Sequence, residues 1–267
     1  MLYFVATPIG NLKEITFRAV EVLNASDFIY AEDTRHSAIL MSEYGIKAPL
    51  ISYQKFNEKS RCAEIIEKLK GGKTVSVISD AGMPLISDPG SVLVGELIKN
   101  DLEFSVISGP CAAINALVLS GLDTSSFYMV GFLPQKSSAR DKLLEKLKSV
   151  ESTLIFYVAP HDISDMLAVL HEKFGSRCVS VVREISKKFE TVYRGKLGDD
   201  LEITQKGEMV VLIEGAKEQA EFDASLSVQE HVDELIKNGM DKKEAIKKVA
   251  SLRNLPKNEV YKIVCND

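Results

Sequence analysis

Short apolar runs alternate with longer amphipathic segments over roughly the first hundred residues. Runs of strand length cover residues 2–6, 28–31, 74–79 and 104–107. Between them, apolar residues recur with the helical period over residues 15–25, 36–44, 58–69 and 91–100. Such alternation is typical of βαβ units, so we expect a mostly parallel sheet with helices on both faces.

From about residue 127 the strand-like runs follow one another, with little helix between the last three. These runs cover residues 127–132, 152–160, 177–185, 189–197 and 207–215. Short connections favour antiparallel pairing, so this half is predicted to form a mixed sheet. Beyond Gly215 the strand pattern stops. We therefore predict an N-terminal α/β lobe in residues 1–122, a second α/β lobe in residues 123–217, and a linker with a helical module in residues 218–267.

Three short helices are predicted for the C-terminal module. Ser227 and Glu230 have the spacing of a capping box at the start of the first helix. Asp241 and Glu244 repeat this spacing before the second, and Pro256 suits the first turn of the third. Compact helices joined by short turns resemble a helix-turn-helix unit.

Positive charge is concentrated in this module, although the whole chain has a net charge of -5. Residues 242–262 hold seven Lys or Arg side chains against two Glu, which favours a nucleic-acid-binding surface over a solvated helical face. The RNA contacts predicted there are Lys242, Lys243, Lys247, Lys248 and Arg253. Residues 133–149 also carry excess positive charge. Lys136 and Arg140 belong to this segment, which is either an RNA-gripping lid or an exposed amphipathic helix.

The composition indicates a globular protein and argues against several other classes. The chain has 267 residues, of which 45% are apolar, enough for a sizeable core. No apolar run reaches the roughly 20 residues of a membrane-spanning helix, and the N-terminus lacks a secretory signal. We therefore expect a cytoplasmic protein without a membrane partner. The four cysteines are scattered without metal-ligand spacing, so neither a metal site nor a disulfide framework is predicted.

The stretch SDAGMPLISDPG, residues 79–90, follows a predicted strand. In parallel sheets, ligands bind beyond the carboxyl ends of the strands. Gly82 and Gly90 would let main-chain atoms approach a ligand closely, and Asp80 could accept hydrogen bonds from an amine or a hydroxyl. Asp88 is better explained by a hydrogen bond to its own turn. Because the chain lacks a P-loop and a GxGxxG motif after the first strand, we expect a small ligand with both polar and apolar groups.

Several segments together resemble the tetrapyrrole-methylase superfamily. In chain order they are VATPIGNLKEITFRAVEVL (5–23), AEDTRHS (31–37), SDAGMPLISDPG (79–90), ISGPCAA (107–113) and KGEMVVLIEG (206–215). Within the superfamily they resemble the branch that 2′-O-methylates a cytidine of small-subunit ribosomal RNA. The resemblance implies a bilobal α/β fold, usually dimeric, with S-adenosylmethionine bound in the cleft between the lobes.

The resemblance also assigns cofactor contacts. In this family the loop after the first strand places a proline at the cleft, here Pro8. The usual Gly-Asp-Pro order of a later loop is replaced by SDAGMP, as in the ribosomal RNA branch, which argues against porphyrin-type substrates. The other contacts implied by the resemblance are Asp80, Gly82, Met83, Ala112, Ala113, Tyr157, Val158, Glu208 and Met209.

Methyl transfer from a sulfonium to a ribose hydroxyl requires in-line alignment and benefits from a base that accepts the hydroxyl proton. The AEDTRH segment supplies four candidates at one strand end, namely Glu32, Asp33, Arg35 and His36. Our hypothesis is that Asp33 or His36 accepts or orients the proton and that Arg35 holds a phosphate. The alternative is that Asp33 or Thr34 only caps the following helix.

Further cationic residues lie near a hairpin-like turn. Lys187 and Lys188 are candidates for a phosphate contact, whereas Arg183 and Glu184 are expected to form an ion pair or to line the cleft.

The resemblance favours an S-adenosylmethionine-dependent cytidine 2′-O-methyltransferase of small-subunit ribosomal RNA, acting as a homodimer on free RNA or on the assembled subunit. Two other functions stay open, methylation of a tetrapyrrole or another small molecule, and RNA binding without catalysis. The basic C-terminal module favours the first function, since a porphyrin-like substrate gives no reason for it.

Overall fold

The computed structural model describes residues 1–54, 56–87, 90–217, 226–237 and 239–265. The chain divides into two compact units, Met1–Gly215 and Ala216–Asp267. Asp88, for which we predicted a turn role, lies outside the described residues. Among the helices described, none is long and apolar enough to cross a membrane.

The first sheet occupies the N-terminal part of the first unit. Its strands are β1 (Leu2–Val5), β2 (Phe28–Ala31), β3 (Leu50–Ser52), β4 (Val75–Ile78) and β5 (Phe104–Ile107). They alternate with the helices α1 (Phe17–Ala25), α2 (Thr34–Glu43), α3 (Glu58–Lys70) and α4 (Ser91–Lys99). The strand order is β3-β2-β4-β1-β5, and every pairing is parallel. The predicted parallel sheet is therefore confirmed.

Both faces of this sheet are buried, which explains why its strands read as nearly continuous apolar runs. Phe4 of β1 packs with α3 and α4, whereas its neighbour Val5 packs with α1 and α2. Each large apolar side chain buried in this way contributes about 1.5–3 kcal/mol. The strands are thereby held firmly, and the loops at their carboxyl ends have a stable base.

The second sheet is mixed, as predicted. Its strands are β6 (Phe127–Phe132), β7 (Thr153–Val158), β8 (Cys178–Arg183), β9 (Thr191–Lys196) and β10 (Met209–Ile213). In the order β6-β7-β10-β8-β9, the β6–β7 pair is parallel and the others are antiparallel. The ends of β6, β7 and β8 therefore lie at the same edge of the sheet as the start of β10.

Helices cover both faces of the second sheet. One face packs against α6 (Ser137–Leu147) and α7 (Ile163–Phe174), and the other against α5 (Ala112–Ser120). No helix was predicted for residues 112–120, because an almost uniformly apolar run shows no helical period. This helix precedes residue 122 but packs on the second sheet. The division of the first unit at residue 122 therefore stays a prediction.

The C-terminal unit contains α8 (Val228–Lys237), α9 (Lys242–Leu252) and α10 (Lys257–Cys265) around a small apolar core. The first capping box forms as predicted. The Ser227 backbone N–H donates to Glu230 Oε2 at 2.7 Å, and the Glu230 N–H donates to Ser227 Oγ at 3.2 Å. At the start of α9, Asp241 Oδ2 accepts from the Lys243 N–H at 3.0 Å.

Candidate active site

A cleft of about 350 Å³ lies at the carboxyl ends of strands from both sheets. Its volume is within the range of about 300–1,000 Å³ that is usual for small-molecule sites. The carboxylates on its wall belong to Glu32 after β2, Asp80 after β4 and Glu208 just before β10. Strand ends of parallel sheets are the usual place for ligand binding, so this cleft is the candidate active site.

Most of the predicted cofactor residues lie on the wall of this cleft. They are Asp80, Ala112, Tyr157, Val158, Glu208 and Met209. Pro8 instead lines a smaller neighbouring pocket, which also contacts Asp80. Among the described residues, those that line the cleft and the smaller pocket do not include Gly82, Met83 or Ala113. The proposed cofactor contacts of all these residues stay predictions.

Gly82 pairs with Thr7 through backbone hydrogen bonds, a role that was not predicted from the sequence. Its N–H donates to the Thr7 carbonyl at 3.0 Å, and its carbonyl accepts from the Thr7 N–H at 2.9 Å. The φ of Gly82 is 82°, and a Cβ there would lie 3.1 Å from Ile9 Cγ2. A glycine is therefore required for the close pairing of two loops within the protein. The cleft wall of this segment consists instead of Asp80, Ala81, Ile86 and Ser87.

Asp33 is the N-cap of α2, and Thr34 is the first residue of the helix. Asp33 Oδ1 accepts from the Arg35 backbone N–H at 2.9 Å, and the Arg35 Nη2 donates to Oδ2 at 2.8 Å. These hydrogen bonds from Arg35 hold the pKa of the Asp33 carboxyl well below its usual range. A carboxylate stabilised in this way accepts a proton less readily. Asp33 thus has the capping role that was the alternative, and its part in proton transfer stays a prediction.

Glu32, the preceding residue, has the opposite environment. Its carboxyl lines the cleft, and partial burial followed by the nearby charge of Asp80 raises its pKa. The Glu32 main chain is fixed because its carbonyl accepts from Gln54 Nε2 at 2.9 Å. Asp80 is oriented by the Asp33 N–H, which donates to Asp80 Oδ1 at 3.0 Å. Both residues line the same cleft, where the Glu32 carboxyl holds a proton more readily than it would in water.

The smaller pocket beside the cleft has a volume of about 140 Å³. The loop after β1 contributes Pro8 and Asn11, and the first turns of α2 contribute His36 and Ser37. His36 is exposed at this site, and Asp80 belongs to both walls. His36 therefore lies near the cleft but on the wall of a different pocket from Glu32.

Sequence analysis missed the apolar part of the cleft. Ile9, Ile86, Phe132 and Ile185 line it, and the Phe132 ring centroid lies 5.5 Å from that of Tyr157. Phe132 is 64% exposed despite its size. The sequence carries no local signal for this wall, because single exposed apolar residues are common on protein surfaces.

The predicted RNA contacts divide by environment. Lys242, Lys243 and Lys247 are exposed on α9. Arg253 is partly buried, and its Nη2 donates to the carbonyls of Leu226 at 2.5 Å and Ser227 at 3.1 Å. Its guanidinium therefore holds the start of α8.

The remaining RNA candidates are also described. Lys248 is half-buried on α9. Lys136 is the N-cap of α6 and Arg140 lies in its first turn, so the segment is an amphipathic helix with Leu144 and Leu147 buried. RNA contact by these side chains stays a prediction.

The cationic turn after β8 differs from its prediction. Arg183 does not pair with Glu184 among the described contacts. It donates to the carbonyls of Lys206 at 2.5 Å and Phe189 at 3.0 Å. Glu184 pairs instead with Lys187, whose Nζ lies 2.9 Å from Glu184 Oε1.

Known proteins share sequence features with most of this chain. Residues 1–199 match the family model of Tetrapyrrole (Corrin/Porphyrin) Methylases. The chain belongs to the tetrapyrrole methylase family. The predicted methyltransferase class is therefore confirmed.

Curated relatives match over nearly the whole chain. The chain is 43% identical to the "Ribosomal RNA small subunit methyltransferase I" of Halalkalibacterium halodurans, over 98% of this chain and 93% of the relative. It is 40% identical to the protein of the same name from Bacillus subtilis, over 98% of this chain and 92% of the relative. The resemblance stated from the sequence is therefore confirmed.

Solved structures share the tetrapyrrole methylase fold at low sequence identity. Diphthine synthase matches with a TM-score of 0.65 and 13% identity, over 80% of this chain and 90% of that chain. Uroporphyrin-III-C-methyltransferase from Thermus thermophilus matches with a TM-score of 0.58 and 19% identity, over 80% and 93%. These matches confirm the predicted fold.

Proposed function

We propose that this methylase transfers a methyl group from S-adenosylmethionine to the 2′-hydroxyl of a cytidine in small-subunit ribosomal RNA. The observation that supports this most strongly is the 43% identity, over 98% of the chain, to a ribosomal RNA small subunit methyltransferase I. The acceptor atom and the base are taken from the resemblance of the motifs. The choice of the 2′-hydroxyl and of cytidine therefore goes beyond what the names of the relatives state.

The cleft fits the cofactor in its chemistry. A sulfonium nucleoside has cationic groups and hydroxyls at some atoms and a flat aromatic ring at others. Glu32 and Asp80 supply negative charge, and Glu208 supplies a carboxylate that is paired with Lys187. Ile86 and Phe132 supply apolar surface. When bound, the cofactor presents an electrophilic methyl carbon on positively charged sulfur. The carboxylates stabilise this positive charge in the bound state, so the rate must gain from alignment and proton removal.

Glu32 is the proposed proton acceptor. Its carboxyl lines the cleft, and burial and the charge of Asp80 raise its pKa. A base whose pKa is closer to the working pH accepts a hydroxyl proton more effectively. In this proposal Glu32 Oε takes the hydroxyl proton as the ribose oxygen bonds to the methyl carbon, while the carbon–sulfur bond breaks and its electron pair stays on sulfur, leaving neutral S-adenosylhomocysteine sulfur. Asp33 and Arg35 hold the start of α2, and His36 orients the acceptor from the neighbouring pocket.

The C-terminal unit is the proposed RNA-binding module. Lys242, Lys243 and Lys247 are exposed on one helix, and Tyr261 on α10 is 53% exposed. Exposed lysines can bind phosphates, and an exposed aromatic ring can stack on a base. A methylase of a small tetrapyrrole would not need this arrangement.

A homodimer in the cytoplasm is also part of the proposal. Several large apolar side chains from β5 through α5 to β6 are exposed, namely Val106, Ile114, Val118, Phe127 and Tyr128. Exposed apolar residues grouped in one segment are typical of a protein interface. In sedimentation experiments we expect the wild-type chain to be a dimer and Val118→Asp to be a monomer. A monomeric wild-type chain would refute the proposed homodimer.

The function is tested with labelled S-adenosylmethionine and small subunits from a strain that lacks the enzyme. We expect one methyl group per subunit on a cytidine ribose, located by nuclease mapping and mass spectrometry. A label on a base atom would refute 2′-O-methylation. Absence of label, with cofactor binding intact in calorimetry, would favour a small-molecule substrate, and absence of both would favour RNA binding without catalysis.

A further inference from the structure

The turn after β8 contacts two walls of the cleft through one lysine. Lys187 Nζ donates to Glu184 Oε1 at 2.9 Å and to Glu208 Oε2 at 2.8 Å. Glu208 lines the cleft, and so does Ile185 in the turn itself. Lys187 therefore joins the end of β8 to the residue that precedes β10.

The backbone reinforces this junction. The Glu184 N–H donates to the Glu208 carbonyl at 2.8 Å, and the Glu208 N–H donates to Glu184 Oε1 at 2.9 Å. Glu184 and Ser186 have φ values of 53° and 65°, in the left-handed region. Such conformations persist in non-glycine residues only where the surroundings enforce them. The turn thus has a defined shape that the Lys187 ion pairs help to maintain.

The hydrocarbon part of the same side chain packs over the loop that follows β1. A Cβ placed on Gly10 would lie 2.5 Å from Lys187 Cγ and 2.7 Å from Lys187 Cε. Real Cβ atoms do not approach other carbons so closely, so the glycine leaves space for the lysine. Ile9, the neighbour of Gly10, lines the cleft. One side chain therefore packs on the loop that carries Ile9 and forms an ion pair with Glu208 on the opposite part of the cleft wall.

The ammonium group remains charged in this setting. Partial burial by itself would lower the pKa of Lys187, but its hydrogen bonds to Glu208 and Glu184 outweigh the burial and raise the pKa. Lys187 has both carboxylates as partners, whereas the next residue, Lys188, is exposed with its Nζ 5.6 Å from the Phe189 ring centroid. Of the two lysines predicted to contact phosphate, Lys187 is already engaged within the protein.

We propose that Lys187 is a positioning residue for the cofactor. It holds Glu208 and the Ile9–Gly10 loop at a fixed separation, and so shapes the cleft before the cofactor binds. A preformed site avoids the cost of ordering its walls on binding. This role rests on the proposed cofactor, and concerns its affinity rather than the chemical step.

The first test is calorimetry of the full-length chain with S-adenosylhomocysteine. Lys187→Met keeps most of the hydrocarbon length and removes both ion pairs, so we expect affinity to fall about tenfold or more. Lys187→Arg, which keeps the charge, should recover most of the affinity. The matched control is Lys188→Met, which should bind like the wild type. In steady-state assays, Lys187→Met should raise the KM for S-adenosylmethionine and leave kcat within about twofold.

A double-mutant cycle tests the contact with Gly10. Gly10→Ala should weaken binding strongly in the wild-type background, because its Cβ meets the Lys187 stem, and less strongly in a Lys187→Ala background. The backbone strain of alanine at a φ of 153° is common to both backgrounds and cancels in the cycle. Additive effects of the two substitutions would overturn this part of the role.

The outcomes separate the two proposals. Failure of the wild-type chain to bind S-adenosylhomocysteine would overturn the proposed cofactor and this role with it. Wild-type binding with equal affinity in Lys187→Met would overturn the role alone. Thermal melts of each variant are compared with the wild type. Glu184→Gln, which removes one ion pair of Lys187, leaves its stem in place and does not change the cleft wall, replaces Lys187→Met if that variant unfolds.

Discussion

Glu32 and Asp33 are neighbours in the chain, yet the structure puts their carboxyl groups in opposite environments. Asp33 is bonded to Arg35, which lowers its pKa, whereas burial and Asp80 raise the pKa of Glu32. When the pKa values of two neighbouring groups are shifted in opposite directions, the roles of the groups usually differ as well. This contrast favours Glu32 over Asp33 as the proton acceptor.

The substitution Glu32→Gln is expected to slow methyl transfer. Loss of a general base lowers the rate of the chemical step by about 10²–10⁴-fold, so we expect a fall of this size in single-turnover methyl transfer. The base is active only when deprotonated, and its pKa is raised above the ordinary 4.5. The wild-type rate should therefore rise with pH through this raised value, and the variant should lose that rise.

Asp33→Asn is the matched control for Glu32→Gln. It should leave the N-cap of α2 in place, because asparagine caps a helix about as well as aspartate, and it should leave the pH profile unchanged. If Asp33→Asn abolished the rise with pH and Glu32→Gln kept it, the assignment of the base would be reversed.

At the scale of elements, the loop after β4 is held from both ends. Gly82 pairs with Thr7 at one end, and at the other the Gly90 N–H donates to the Glu58 carboxylate at 3.0 Å. Glu58 begins α3, is only 9% exposed, and also accepts from the Tyr53 hydroxyl at 3.1 Å. A carboxylate of one helix thus fixes the start of α4 and the end of a loop that lines the cleft.

Glu58→Ala is the element-scale prediction. It leaves the Gly90 N–H and the Tyr53 hydroxyl without their acceptor, so we expect a loss of about 2–4 kcal/mol in the free energy of unfolding. Denaturation by urea measures this loss. Glu67→Ala, at an exposed position of the same helix, should change the stability by less than about 0.5 kcal/mol. Equal stability of the two variants would show that the Glu58 hydrogen bonds are unimportant.

At the scale of the whole molecule, the chain consists of two compact units, each with its own apolar core. The cleft lies entirely within Met1–Gly215, whereas the lysines predicted to bind RNA lie mostly in Ala216–Asp267. Cofactor binding and recognition of the ribosomal substrate should therefore be separable by truncation.

The prediction for the whole molecule is that residues 1–217 fold and bind S-adenosylhomocysteine with nearly wild-type affinity. Methylation of small subunits should fall at least about tenfold, because phosphate contacts supply much of the affinity for RNA. Calorimetry and labelled methyl transfer measure the two effects. Full methylation by the truncated chain would refute the RNA-binding role, and the charge reversal Lys243→Glu in the full chain provides a control that keeps the C-terminal core.

Much of the fold was predictable from local pattern. The parallel strands around Phe4 and Val77 and the capping box of Ser227 were recognised because their signals lie within a few residues of each other. The short strand β3 and the apolar helix α5 were missed, since neither has a distinctive period. Most of the proposed cofactor residues were inferred from the resemblance of motifs. The apolar wall with Phe132 was predicted neither from local pattern nor from that resemblance.

The amino-acid sequence by itself determined the alternating elements, the basic C-terminal helices and the family, because periodicity, charge and motif are read along the chain. Only the tertiary structure decided which carboxylate faces the cleft, what Gly82 pairs with and which groups Lys187 joins. The reason is physical: burial, electrostatic coupling and van der Waals contact depend on distance in space, and Asp80, Thr7 and Gly10 are far in sequence from the residues they affect.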